Sequence, residues 1–299
     1  MLIYIKDLRV AVWYLDNVEC AICALTSRLN ELKKFKNDDA SSVMKMIIKV
    51  NEYYPLGRSR LFAETFNELS KILNNNDPYL RDKEGYEYYV QSNVVERIRD
   101  LDTLSLLKVA AASNSVDAPM PGYEFTEEMF MERLMDEPAW LGVSGGEALK
   151  ILEDSTHVTY IVDNAGEFSI DRLLILRLAK RSRVTVIARS LPYETDVTYD
   201  YVKSTLSNEP NVEVVATGSR YPAFLIDDVY KRYIEGSGLV ISKGVGNLEA
   251  YLEANRRHGN VLFLFRVKCR PIMRLLNVPF GKPVIMHSRF INSIKLRQT

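Results

Sequence analysis

Several of the features that most readily betray a function are scarce or missing. Cysteine occurs three times in 299 residues, an odd number that fits reduced thiols better than a secreted disulfide framework. Cys20 and Cys23 form a single CxxC, too few ligands for a zinc site. Buried thiols on one helix face are the favoured reading, with a redox pair or half a metal site as alternatives. The three histidines, His157, His258 and His287, are widely separated and make no HExxH pattern, so neither a zinc protease nor a sequence-evident triad is supported. Excess charge is absent: 39 Lys and Arg stand against 39 Asp and Glu. No global positive field is available to attract nucleic acid. No apolar run approaches the roughly 20 residues that cross a bilayer, and the amino terminus lacks the organisation of a secretory signal. The expectation is a cytoplasmic protein with neither a membrane nor a nucleic-acid partner. Internal repeats and low-complexity tracts are also missing.

What remains is a chain that is 47% hydrophobic, enough to bury a sizeable core as one large domain or two ordinary ones. Two rhythms divide it. From Asn17 to about Ser113, segments such as "AICALTSRLNELKKF" and "RLFAETFNELSKIL" place apolar residues three and four apart, the period of packed helices. From about His157, short β-branched runs ("VTYIV", "RVTVIA", "VEVVA", "GLVIS", "NVLFLF") alternate with amphipathic stretches. Parallel strands need crossover connections, so this alternation predicts a mostly parallel sheet with helices on both faces. The predicted architecture is α/β: a mainly helical domain over 1–150 and a Rossmann-like three-layer α/β/α domain over 151–299, with ligands at the carboxyl ends of the strands.

Those ends carry the candidate chemistry. The first predicted strand stops in Asp163-Asn164-Ala165-Gly166-Glu167. A carboxylate beside a carboxamide suits a hard divalent cation that keeps open positions for water and substrate; helix capping is the bland alternative. The second strand leads to Asp196 in "YETDVTYDYV", with Thr195, Glu194 and Asp200 as competing caps or carboxylates. The fourth leads to "SKGVGNLEA", where Lys243, Gly244 and Asn247 precede a helix. Helix-start N–H groups and a lysine suit a phosphate, although neither a Walker sequence nor a dinucleotide fingerprint is present, and a turn with an incidental lysine is the alternative. Lys268, after the fifth strand, is a further strand-end cation. Cys269 beside it reads as a buried thiol in the absence of a histidine partner.

Taken in order, the CxxC at Cys20 and Cys23, "NDPY", "AAASNSVD", "VDNAGE", "TDVT", "ATGS", "SKGVGNLEA" and "VKC" resemble the metal-dependent damage-control phosphatases, the ARMT-like family also known as domain of unknown function 89. The resemblance covers nearly the whole chain. It implies a helical region attached to a Rossmann-like domain, with a divalent cation in the cleft between them. By motif it implies Asp163, Asn164 and Asp196 as metal ligands and Lys243, Gly244, Asn247 and Lys268 around a phosphorylated substrate. Asn114 and Asp117 would reach in from the helical side, with Arg58 or Arg60 beside them. Thr195 departs from the asparagine common at that place, and "SRYPAF", with Arg220 and Tyr221, replaces a glycine-rich segment; both departures bear on substrate choice rather than on metal binding.

The expected activity is metal-dependent phosphomonoester hydrolysis of small phosphorylated metabolites such as sugar phosphates, with Mg²⁺, Mn²⁺, Co²⁺ or Ni²⁺ as cofactor. S-adenosylmethionine-dependent carboxyl methyl transfer, attributed to relatives in that family, and noncatalytic phosphometabolite binding are the alternatives. No convincing glycine-rich loop follows the first strand for the former.

Overall fold

The computed structural model describes residues 16–115, 127–254, 256 and 258–294. A seven-stranded sheet in the order β1-β7-β6-β5-β2-β3-β4 forms its centre. The strands are β1 (Ala139–Leu141), β2 (His157–Ile161), β3 (Arg183–Ala188), β4 (Val212–Ala216), β5 (Leu239–Lys243), β6 (Val261–Arg266) and β7 (Pro283–His287). Every pairing is parallel except β6 with β7, which makes this the mostly parallel α/β fold the alternating pattern predicts. The five predicted strands are β2 to β6. The sheet adds β7 and, from before residue 150, the short edge strand β1.

Alternation along each strand sends side chains to both faces. Tyr160, Val186, Ile241, Leu262 and Ile285 pack with the helices Thr103–Ala112 and Glu167–Ala179, whereas Ile161, Ile187, Val240, Phe263 and Met286 pack with the helix Val245–Glu253. Both faces are covered, as parallel sheets require. The helical hairpins of the amino-terminal half bury their own cluster around Leu32, Leu61, Phe66 and Tyr79, and Tyr193, from the loop after β3, is inserted into it. That insertion docks the helical wall over the carboxyl ends of the strands. The segment before β2 is the helix Gly145–Asp154, closed at its start by a capping box between Ser144 and Glu147. Among the described residues no helix is long and apolar enough to cross a membrane.

Candidate active site

The loops after β2 and β3 are bound to one another before either reaches its helix. Asn164 and Asp196 form an isolated antiparallel bridge. Ala165 N–H donates to the Thr195 carbonyl at 2.8 Å, and Val197 N–H to the Asp163 carbonyl at 2.9 Å. Two strand ends thereby deliver Asp163, Asn164 and Asp196 to one place. None of the three caps a helix: the caps are Gly166 and Thr198, and neither is joined by a side-chain hydrogen bond. Thr195 is fully buried and donates its hydroxyl to Asn164 Oδ1 at 2.8 Å, so the carboxamide turns its Nδ2 to Asp163 Oδ2 at 3.0 Å.

These groups open onto a cleft lined also by Lys268, Val245, Gly246 and Glu249 from the α/β side and by Ser27, Glu31, Arg58, Ser59 and Phe62 from the helical side. Arg189, Tyr193 and Glu194 complete the wall after β3. Arg28 is fully buried and its guanidinium holds both Glu31 and Glu194; the second pair ties the loop bearing Asp196 to the first helix, Asn17–Lys34. Burial raises the Glu31 pKa, against the opposing pull of Arg28. Asp196 is likewise raised by burial, with Arg189 pulling the other way.

Asn114, Lys243 and Asn247 stand one layer behind the cleft. Asn114 is fully buried; its Nδ2 donates to Asp163 Oδ2 at 3.0 Å and to Glu167 Oε1 at 3.0 Å, while its Oδ1 accepts from Arg266 N–H at 3.3 Å. Glu167 Oε1 also accepts the Asn164 N–H at 2.9 Å, so the "DNAGE" glutamate braces the turn. The predicted phosphate contact of Lys243 is not what the structure places there. Its ammonium lies 3.0 Å from Glu167 Oε2 and 2.7 Å from Asp171 Oδ1, all three side chains fully buried. The cause is the helix Glu167–Ala179, whose carboxylates at i and i+4 face the end of β5. Asn247 also lies behind the cleft, its Nδ2 donating to the Lys243 carbonyl at 2.8 Å. Gly244 has φ +76°, and a Cβ there would stand 2.0 Å from Asp163 Oδ2. Its missing side chain is the space that the carboxylate occupies. Asp117 lies outside the described residues.

Arg58 lines the cleft with Nε 2.7 Å from Glu249 Oε1, whereas Arg60 lies over the Tyr221 ring at 5.5 Å. Cys20, Cys23 and Cys269 line an adjoining hollow. Burial pushes the Cys20 thiol up to about 12 and the Cys269 thiol up to about 11, far from the thiolate a nucleophile needs.

Arg28, Glu31, Arg189 and Arg266 were not singled out by sequence reasoning. Arg189 and Arg266 carried a usable signal, a cation at the end of an apolar strand. Arg266 donates to the Ala112, Arg133 and Gly281 carbonyls and to Asp136, joining β6 to the helical half and thereby fixing Asn114.

Among the described residues no group of three or more His, Cys, Asp or Glu side chains is arranged to hold a metal. A cation at Asp163 and Asp196 would therefore need the Asn164 carboxamide oxygen as its third protein ligand, which requires the amide to turn, since here Oδ1 accepts the Thr195 hydroxyl and Nδ2 faces Asp163. That donor set is oxygen only, incomplete enough to leave positions open, and seated in a space kept by Gly244. It fits a hard divalent ion.

Residues 17–284 match the family model for the damage-control phosphatase ARMT1-like domain. A damage-control phosphatase of Pyrococcus horikoshii is 27% identical over 232 residues, spanning 75% of this chain and 79% of its own length. One of Archaeoglobus fulgidus is 26% identical over 181 residues, spanning 59% and 62%. The crystal structure of a DUF89 family protein from P. horikoshii superposes with a TM-score of 0.75 at 24% identity, covering 90% of this chain and 98% of that one, which establishes the shared fold.

Proposed function

The chain belongs to the damage-control phosphatase ARMT1-like domain family, and on that premise we propose that it is a divalent-metal-dependent phosphatase of small phosphorylated metabolites, sugar phosphates among them. The observation that carries the reading is the bridge between the loops after β2 and β3, which sets two carboxylates and a carboxamide beside Lys268 in one cleft. Asp163, Asn164 and Asp196 would hold the cation, which when bound supplies positive charge for a phosphoryl oxygen and a water of lowered pKa. Lys268 lends charge to the transferred group, and the first N–H groups of the helix Val245–Glu253 orient it. Asn114 and Glu167 keep Asp163 and the Asn164 backbone in position. Glu31, Glu194 and Glu249 offer acceptors for substrate hydroxyls, and Phe62 and Tyr193 an apolar wall for a sugar face.

The test is phosphate release from a panel of sugar phosphates and p-nitrophenyl phosphate by EDTA-treated protein, before and after Mg²⁺, Mn²⁺, Co²⁺ or Ni²⁺ is restored. Release that needs the metal and disappears in Asp163→Ala is expected. Turnover indifferent to EDTA would sink the metal dependence, and no release with any metal would leave a binding protein.

A further inference from the structure

We infer that Arg189 is the internal counter-ion of the metal site: it neutralises the aspartate pair in the metal-free protein and turns to the phosphoryl group once Asp196 is committed to a cation. The inference rests on the metal-dependent reading above.

Arg189 directly follows β3, and its side chain is 10% exposed in the cleft wall. Nε donates to Asp196 Oδ2 and Nη1 to the Arg220 carbonyl, and Asp163 is within electrostatic reach of the guanidinium. The planar group lies over the Tyr193 ring, 4.3 Å from its centroid. Two aspartates brought together by a backbone bridge repel, and a guanidinium held on one of them offsets that repulsion. A divalent cation that takes Asp196 Oδ2 would meet the guanidinium already hydrogen-bonded to that oxygen, and the repulsion between the two positive charges favours release of Nε. Displacement requires little movement. Nη1 can stay on the Arg220 carbonyl and the Tyr193 face can support the rotation, while Nε gives up Asp196. Among the described residues Nη2 has no hydrogen-bond partner, which leaves the Nε–Nη2 edge as the fork for a phosphate, the geometry in which arginine surpasses lysine. Metal binding would then create half of the anion site, giving an order of binding: cation first, phosphate second.

Calorimetry on metal-stripped protein with Mn²⁺, and on the Mn²⁺-loaded protein with inorganic phosphate, separates the two roles. For Arg189→Gln we expect Mn²⁺ to bind several-fold more tightly and phosphate about tenfold more weakly. Arg189→Lys keeps the charge without the fork, so its Mn²⁺ affinity should stay near that of the unaltered protein while phosphate still weakens. A residue that only props the fold would move both affinities the same way. Because a variant can misfold, the unaltered protein provides a second readout. The Arg189 Nε–H resonance, assigned by its loss in Arg189→Lys, should shift on adding Mg²⁺ and again on adding phosphate. Equal or weaker Mn²⁺ binding by Arg189→Gln, or a resonance that Mg²⁺ leaves in place, overturns the inference while leaving the metal reading intact. Failure of the unaltered protein to bind any of the cations removes both.

Discussion

Two lysines close neighbouring strands and meet opposite fates. Lys243 ends β5 and is sealed between Glu167 and Asp171. Lys268 lies two residues beyond β6 and lines the cleft. In the sequence both are strand-end cations before a helix. What separates them is the helix Glu167–Ala179, which carries two buried carboxylates to the end of β5. A strand-end lysine whose ammonium is already sealed between buried carboxylates has no charge left to offer a ligand.

Substitution should separate the two most sharply. Lys243→Met strands two buried carboxylates and should cost about 3–5 kcal/mol of stability, read as a lowered melting temperature, with phosphate release per folded molecule largely kept. Lys268→Ala should lower phosphate release about 10²–10³-fold with a much smaller change in melting temperature. The reverse pattern would return Lys243 to the site. Gly244→Ala comes next. Its Cβ collides with the Asp163 carboxylate and its φ of +76° strains any other residue, so about 1–3 kcal/mol of stability and most of the Mn²⁺ affinity should be lost, the latter measured by calorimetry.

The same contrast explains how much could be read in advance. The runs that became β2 to β6 are five or six residues rich in β-branched and apolar side chains, long enough to show as buried strands. β1 is three residues, too short for any period to appear, and β7 follows "FGKP", where the turn signals mask it. Asp163, Asn164 and Asp196 were legible because strand ends are where ligands gather in this class of sheet. Their mutual bridge was not, since nothing in two segments over 30 residues apart shows that their loops pair. Arg28 and Glu31 were hidden for another reason. In "SRLNELKKF" they look like a solvated helix face, yet Arg28 is sealed between Glu31 and Glu194, 163 positions beyond Glu31. Charge burial is decided by which surface arrives opposite, and the local pattern does not record that.

Glu87 sharpens the comparison from the acid side. Like Asp171 it is a buried carboxylate, but its hydrogen-bond donors are the Gly166 N–H at 2.7 Å and the hydroxyls of Ser169 and Tyr201, not a lysine. Burial pushes its pKa from 4.5 up to about 7. The folded state thus holds a proton that the unfolded chain releases. The stabilisation is fully present below about pH 4.5 and is lost as pH rises through about 7. Glu87→Gln should remove this slope, gaining up to about 3 kcal/mol over the ionised parent in urea melts above neutrality, while differing little near the acid end. A variant whose pH slope matches that of the parent would show that Glu87 stays ionised in the fold.

The smallest effect is expected in the loop after β4, at Arg220 and Tyr221. Tyr221 donates its hydroxyl to Glu64, and Arg220 donates to Asn67 and to the Pro192 and Asn76 carbonyls. The segment is a latch joining the loop after β4 to the helical wall. Tyr221→Phe removes one hydrogen bond to a charged group and should cost about 1–2 kcal/mol, with phosphate release unchanged on every substrate. Tyr221 and Arg220 do not line the cleft. If selectivity across a sugar phosphate panel changes instead, the latch sets the spacing of the two walls, and substrate choice is made by how firmly the helical half is held down rather than by the residues that face the ligand.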